Sequence, residues 1–509
     1  MMGMGFATTV LAFSWLLSSP TDTSVVARVG RFGITVEELL ESYEVGPSFV
    51  TKVAGQTQPL RLHLEYMIYE RLIALQAEQL GYNTTDYVRE RIAAIEEDLA
   101  VDELYREEML SRVHLGEEEI AAGLQKARIH IRFRWIYTKT TEEAERMADA
   151  LEQGTSFDSL FTLQGDPGRF LETTVLRLEK DNPELAKELA NARSQEILGP
   201  ILGSDGSYII RIDEIWQNPL LTQSAEQQLS NLVTTTLKSM KADELAGEYV
   251  RRTMLGANPV IKAEGHGILR SYLAERGLSK EQRTEWEITA GYMTEAGPRP
   301  ITASPEFLAK TLVTFGDRAF SVADYLRWFQ IRQFQLKTGS REAFISSIKR
   351  TIWKMVQDHL LSRDAYARGL HLREIVKGEK KRWEAKLLYL AGRIHILRTI
   401  QIPDDAVRAR YESRKHRYKD TAGRVRALKE VEQEIRLELF REEETKVFYR
   451  TIQLLKKEFT YTVDEEAVRK LADRVDSEPS PIDVIFYKPG GTFPRRAFPT
   501  IDEQWILFH

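Results

Sequence analysis

The side chains with most chemistry to offer are scattered along this chain. Nine histidines occur in 509 residues, and no pair has metal-ligand spacing backed by a third donor. His359 and His371 are separated by an expected helix end. Cysteine is absent, which removes thiol nucleophiles, disulfides and Cys-ligated zinc in one step. Acidic runs such as Glu96-Glu97 and Glu117-Glu118-Glu119 fall in charged helical stretches and read as solvated faces rather than as paired acid and base. No nucleophile elbow, phosphate loop or dinucleotide fingerprint stands in a supporting context. Neither a metal nor a cofactor is expected. The net charge of -5 argues against nucleic acid as a partner.

The chain is too long for one hydrophobic core, so two or three domains are expected. At its start, Gly5 to Leu17 forms a short apolar run followed by "SSPTDTS". That length suits the apolar core of a secretory signal better than a membrane span of ~20 residues. No Lys or Arg precedes Arg28, so the positive flank of such a signal is missing. Residues 1–20 are expected to be a signal peptide, and the protein to be exported to the periplasm.

Two segments repeat one another. "VARVGRFGITVEELLESYE" from Val26 resembles "LVTFGDRAFSVADYLRWFQ" from Leu312, with Gly30 and Gly316 aligned. Each reads as a short strand, a glycine turn and a helix start. Thr35 to Glu38 and Ser321 to Asp324 both have the pattern of a capping box. Next comes a helix with Leu64, Ile68, Leu72 and Leu75 on one face, matched by Ile352, Val356, Leu360 and Leu361. Gly81 and Gly369 close these helices at the position that favours glycine. A further helix carries Val88, Ile92, Ile95 and Leu99, matched by Val376, Trp383 and Leu387. His114 to Leu124 then parallels Gln401 to Tyr411. Long helices follow, around Leu229 to Arg252 in the first arm and Lys429 to Lys457 in the second. The first arm holds about eighty more residues than the second before that helix, enough for one small domain.

The insert opens with "RFRWIYTKTTEEAERMADALEQGTSFDSL" from Arg132 and closes with "EILGPILGSDGSYIIRIDEI" from Glu196. The pattern is strand, helix, irregular middle, helix and strand hairpin, an α+β arrangement. It resembles the parvulin family of peptidyl-prolyl isomerases. "WIYTKTTEEA" stands where that family has its first strand and Glu-rich helix start. "EQGTSFDSL" matches its Gly-x-x-Phe helix end, and "GPILGSDGSYIIRI" its closing strands. With the flanking helices, most of the chain resembles the SurA class of periplasmic chaperones, which wraps a helical domain around parvulin inserts.

The resemblance implies where catalytic groups would stand. Active parvulins carry paired histidines on the central strands; here those positions hold Trp135 and Tyr208. The polar segment of the family shortens to "FTLQGDPGRF", and its pocket aromatics align with Leu185 and Ala190. His130 lies an odd number of positions from Trp135, which places it on the other face of a strand. The expected site is therefore a degenerate cleft of Trp135, Tyr208 and Leu185, binding peptide without catalytic residues. Trp135 and Tyr208 either fill the old cleft as core or form an apolar platform for unfolded chain.

The expected architecture is mainly α with an inserted α+β parvulin-like domain and duplicated helical arms of the SurA N-terminal type. A first helical domain would comprise 21–126 and 217–262, the parvulin-like domain 127–216, and a second helical domain 263–475. A Pro- and aromatic-rich tail would cover 476–509 and pack over the second domain as a strap. Asp86 to Glu119 has 12 acidic and 4 basic residues, while the aligned Arg373 to Lys419 has 14 basic and 6 acidic. Opposite charge on matching elements predicts that the arms associate, within a monomer or across a homodimer. The expected function is a chaperone that holds unfolded envelope or outer-membrane proteins without ATP. The alternatives are an active prolyl isomerase and a structural subunit of a membrane assembly machine.

Overall fold

A computed structural model describes residues 10–12, 24–47, 59–163, 170–203, 206–217, 222–288, 291–294, 297–300, 305–420, 423–477, 484–486 and 499–508. The expected signal at 1–20 lies outside these residues except for Val10–Ala12, which pairs with Val484–Phe486. Of the 476–509 tail, Val484–Phe486 and 499–508 are described beyond its first two residues.

The chain begins with β1 (Val25–Val29), β2 (Phe32–Thr35), α1 (Val36–Val45), α2 (Pro59–Gln79), α3 (Asp86–Glu108) and α4 (Glu117–Arg128). The insert follows as β3 (Ile129–Thr138), α5 (Thr141–Glu152), α6 (Phe157–Thr162), β4 (Leu171–Thr174), α7 (Val175–Asp181), α8 (Pro183–Glu188), β5 (Ile197–Leu202) and β6 (Ser207–Gln217). Then come α9 (Gln223–Ala257), β7 (Val260–Ile261), α10 (Ala263–Gly277), β8 (Thr311–Phe315), β9 (Arg318–Ser321), α11 (Val322–Arg332) and α12 (Arg341–Ala367). The last elements are α13 (Glu374–Arg398), α14 (Asp404–Arg414), α15 (Leu428–Glu458), β10 (Tyr461–Val463) and α16 (Glu465–Ser477). The fold is mainly helical with small antiparallel sheets. Among the described residues no helix is long and apolar enough to cross a membrane.

Two compact units result, 1–104 with 250–509, and 105–249. Segments of both arms fall in the first unit. The insert's unit extends past 127–216, because α4 and α9 pack on it through Ala127, Leu176 and Val233. A Cβ on Gly123 would lie 2.7 Å from Val233, so only glycine lets α4 approach α9 this closely.

In the helical unit, the β1–β2 hairpin is joined by β10 and the β8–β9 hairpin by β7. Each hairpin is thus closed by the strand that follows the other arm's long helix. The main-chain hydrogen bonds recur in step. Gly30 N–H donates to Thr460 O and Gly316 N–H to Ala257 O, at 3.1 and 2.8 Å. Asp464 N–H donates to Val26 O and Lys262 N–H to Leu312 O, at 2.9 and 2.8 Å. Gly81 and Gly369 both adopt positive φ, 80° and 70°, after the helices they terminate.

The apolar faces read from spacing are buried. Leu64, Ile68 and Leu72 join Leu388, Phe448 and Ile452 in one core; Ile352, Val356 and Leu360 join Leu269, Val313 and Tyr325 in another. The helix caps differ from expectation at one point. Ser321 and Asp324 form the reciprocal capping box, but at the first arm only Thr35 Oγ1 accepts, from Glu38 N–H at 3.1 Å. The Glu38 carboxylate instead pairs with Arg71 in the interior, where a buried charge needs a counter-ion.

The acidic and basic helices meet within one chain. Lys380 pairs with Glu96 at 2.8 Å and Arg373 with Glu103 at 3.2 Å, while Arg332 pairs with Asp98. A deeper set lies along α13. Arg382 donates to Glu41 and Glu379, each at 2.8 Å, and Lys386 to Glu70 at 2.8 Å. Residues 379, 382, 386, 389 and 393 repeat every three or four positions, one stripe of the helix.

The described tail does not lie over the second arm alone. Ile501 and Trp505 are buried in the core built by α2, α13 and α15. An indole packs where four aromatic rings are already gathered, and these come from both arms.

Candidate peptide-binding face

The insert's sheet has the order β4–β3–β6–β5, all antiparallel. Alternation along β3 sends Ile131, Phe133 and Trp135 to one face and Arg134 and Ile136 to the other. A register shift between Arg132 and Phe133 keeps the partner strand in step, so Trp135 faces Ile210 and Tyr137 faces Tyr208. On the first face, Ile131, Phe133, Ile210 and Ile212 are covered by Leu178 and Leu189 of the α7–α8 region.

All three expected site residues meet there. Trp135, Tyr208 and Leu185 are half-buried and pack against this same cluster. Phe133 and Trp135 have ring centroids 6.2 Å apart, and Tyr137 and Tyr208 5.4 Å apart. The tyrosine rings lie tight over the hairpin turn: a Cβ on Gly206 would sit 2.5 Å from Tyr137 Cε2, and one on Gly203 2.6 Å from Tyr208 Cε2. The other aligned pocket position, Ala190, is exposed, and its neighbour Leu189 supplies the packing instead.

His130 stacks on Trp216 with centroids 5.3 Å apart, where Arg132 also lies 5.3 Å over the Trp216 ring. It stands on the face opposite Trp135, as strand parity requires. Among the described residues, no group of three or more His, Asp or Glu is placed to hold a metal.

The reverse face holds a charged cluster that the sequence reading missed. Arg134 donates to both oxygens of Asp213, at 2.8 to 3.1 Å, and to Asp158 at 2.7 Å. Arg211 donates to the other Asp158 oxygen, also at 2.7 Å. Hydrogen bonding from Arg134 holds the Asp158 carboxyl below its ordinary range, with Arg211 adding to it. Arg134 also lies 5.3 Å over Phe161. This cluster ties α6 to the sheet. Arg and Asp at alternate positions of paired strands were the available signal, since period two puts them on one face.

The face with Trp135 therefore offers apolar surface, aromatic rings and two phenol groups. Beside it, among the described residues, β5 is an edge strand paired with β6 alone, with Leu202 77% and Ile197 41% exposed. An exposed apolar edge strand is a template for another extended chain.

No family model matches this chain, and no curated protein does. Among solved structures, it is similar to foldase protein PrsA from Streptococcus pneumoniae, at 13% identity and a TM-score of 0.21, covering 43% of this chain and 89% of that one. It is also similar to peptidylprolyl isomerase PrsA from Bacillus cereus, at 12% identity and 0.20, covering 45% and 93%. PrsA from Bacillus subtilis gives 14% and 0.16, covering 44% and 90%. At such values the likeness assigns no activity to this chain.

Proposed function

We propose that this chain is an exported, ATP-independent chaperone that holds unfolded envelope proteins, and that its sheet domain is a parvulin-type fold devoted to peptide binding. One observation carries the reading. Both positions that the parvulin resemblance assigns to catalytic histidines are aromatic, Trp135 and Tyr208, and with Leu185 they pack on one half-buried apolar face. Rotation about X-Pro must cross a barrier of ~20 kcal/mol, and a working isomerase needs a shaped polar pocket for it. A shallow aromatic face beside an apolar edge strand suits holding a chain, not turning its bonds.

The finer parts of the proposal are a periplasmic location, a signal at 1–20, outer-membrane precursors as clients, and descent of the two arms from one duplicated unit. The recurring hairpin hydrogen bonds favour the last. N-terminal sequencing of the mature protein tests the first two.

A protease-coupled assay on an X-Pro peptide, run beside suppression of aggregation of a denatured outer-membrane protein, tests the function. Suppression without turnover is expected. Turnover near that of a working parvulin would return the chain to the isomerases. Stoichiometric recovery with one membrane complex would make it a structural subunit. The double variant Trp135→His with Tyr208→His should still show no substantial turnover, because the polar segment and the pocket positions have changed as well and residues that act as a unit are not additive.

A further inference from the structure

The segment 499–508 is held by charged groups, which an ordinary apolar core contact does not need. Trp505 is 2% exposed. Its ring stacks on Tyr66 at 5.4 Å, and Tyr69, Tyr389 and Phe448 close around it at 5.7, 6.3 and 6.4 Å. Trp505 Nε1–H donates to Glu70 Oε1 at 3.1 Å, and Asp502 N–H donates to the same oxygen at 2.7 Å. The Asp502 carboxylate accepts from Tyr389 O–H at 3.1 Å and lies 3.7 Å from Arg393 Nε.

The groups that receive the segment also have partners outside it. Lys386 Nζ donates to both Glu70 oxygens at 2.8 Å, and Arg393 pairs with Glu444 at 3.3 Å. Glu70 keeps one oxygen directed at an incoming N–H, and an aromatic cage surrounds the space an indole fills. Such a site loses little freedom on binding, which is the condition for recognising a short segment.

We propose that this socket is a peptide-binding site for unfolded chain presenting a carboxylate three residues before a tryptophan, and that residues 499–508 occupy it in cis as a displaceable stand-in. Asp502 and Trp505 are three apart, the spacing that brings both side chains to one side of a tight turn. A client segment of this chemistry would use Glu70, Arg393 and the four rings, and would expel the strap as it enters. That clients supply such segments rests on the chaperone reading above; the chemistry of the socket does not.

The test uses the full chain and a synthetic peptide with the sequence of 499–508, "PTIDEQWILF". With 5-fluorotryptophan incorporated and Trp505 assigned through Trp505→Phe, excess peptide should move the Trp505 fluorine resonance from its buried position to a solvent position. A joined segment competes at an effective concentration on the order of millimolar, so peptide must exceed that. In the Trp505→Ala chain the socket is open, and labelled peptide should bind at least about tenfold more tightly than to the unaltered chain. Adding Glu70→Gln should weaken that binding by on the order of tenfold or more, as loss of a hydrogen bond to a charged group does. A Trp505 resonance unmoved at saturating peptide overturns the proposal, whether or not the alanine variant folds. A dimer in the unaltered chain that peptide splits would seat the strap in a second copy and overturn the cis arrangement. Aggregation suppression is read separately, so chaperone activity with an unmoved resonance sinks the socket alone.

Discussion

The two cores of the helical unit carry different charges at matching positions. Glu70 in α2 and Asp358 in α12 are 288 positions apart, as are Lys386 in α13 and Asp98 in α3. In the first core the pair is opposite in sign, and Lys386 closes on Glu70 at 2.8 Å. In the second both members are carboxylates, and Arg332 from α11 pairs with Asp98 while Lys354 holds Asp358 at 2.9 Å. His63 of the first core matches Thr351 of the second; His63 bonds to Ser42 Oγ at 2.8 Å, and Thr351 to the Tyr325 hydroxyl at 2.6 Å. The positions 288 apart thus carry two different electrostatic arrangements. The difference teaches that the arms are not interchangeable: Glu70 and Asp98 take their counter-ions from the other arm, and Asp358 takes its own from the same helix.

Removing the insert should separate the arms' shared scheme from the first arm's special content. A chain lacking 127–216 should lose the peptide face of Trp135 and Tyr208 altogether yet keep the helical unit, because the second arm already does without an insert. Circular dichroism reads the outcome, and helical loss well beyond the excised residues would count against modularity.

Arg382→Met strikes the interface of the arms. It removes the Arg382 ion pair from Glu41 and from Glu379, both nearly fully buried, and removing one partner of a buried set costs about 3–5 kcal/mol. Urea unfolding measures this, and a loss under 1 kcal/mol would show that the carboxylates find water or protons instead.

Acid should act on the two cores in opposite directions. Burial, with Lys386 adding, pushes His63 down to about 3 from an ordinary 6.5. Its neutral form is built into the fold, so its stabilising contribution is complete above pH 6.5 and is lost as pH falls toward 3. One proton of difference costs about 1.4 kcal/mol per pH unit, or roughly 2 kcal/mol between pH 6.5 and 5. His63→Gln should flatten that slope in urea titrations. In the second core, burial holds the Asp98 carboxyl above its ordinary value, with Asp358 adding and Arg332 opposing. The folded state keeps that proton longer, so this contribution is greatest in acid and declines as pH rises through the raised value. Hydrogen exchange should therefore show β1–β2 loosening and β8–β9 tightening as pH falls from 6.5 to 5.

The smallest effect is expected from Asp98→Asn. Arg332 keeps the Glu97 carboxylate 3.9 Å away, so the change at pH 7 should stay within about 1 kcal/mol. A larger loss would make the Arg332 pair a main support of the second core and bring the two designs closer together.

Much of this was legible from residue patterns. Leu64, Ile68 and Leu72 announced the buried face of α2, and Ile352, Val356 and Leu360 that of α12, because helical period alone marks the face. Trp135 and Tyr208 came together because both lie on central strands and share parity. Arg134, Arg211, Asp158 and Asp213 were not foreseen, since charged residues on a strand read as solvent-facing until a helix is laid over them. Ala190 failed by one position in the turn that follows α8, and the second half of the Thr35 capping box failed because Arg71, 33 residues away, drew Glu38 inward.

The amino-acid sequence by itself determined the helices, the faces they bury, the glycines that end them and the place of the inserted sheet, because each follows from local period and backbone freedom. Only the tertiary structure decided which arm closes which hairpin. Val260–Ile261 and Tyr461–Val463 are too short to carry a period, and their partners lie far along the chain. The same holds for Arg382 among its carboxylates and for Trp505 at Glu70. Burial patterns say that a side chain goes inside, but what it meets there depends on how distant helices cross.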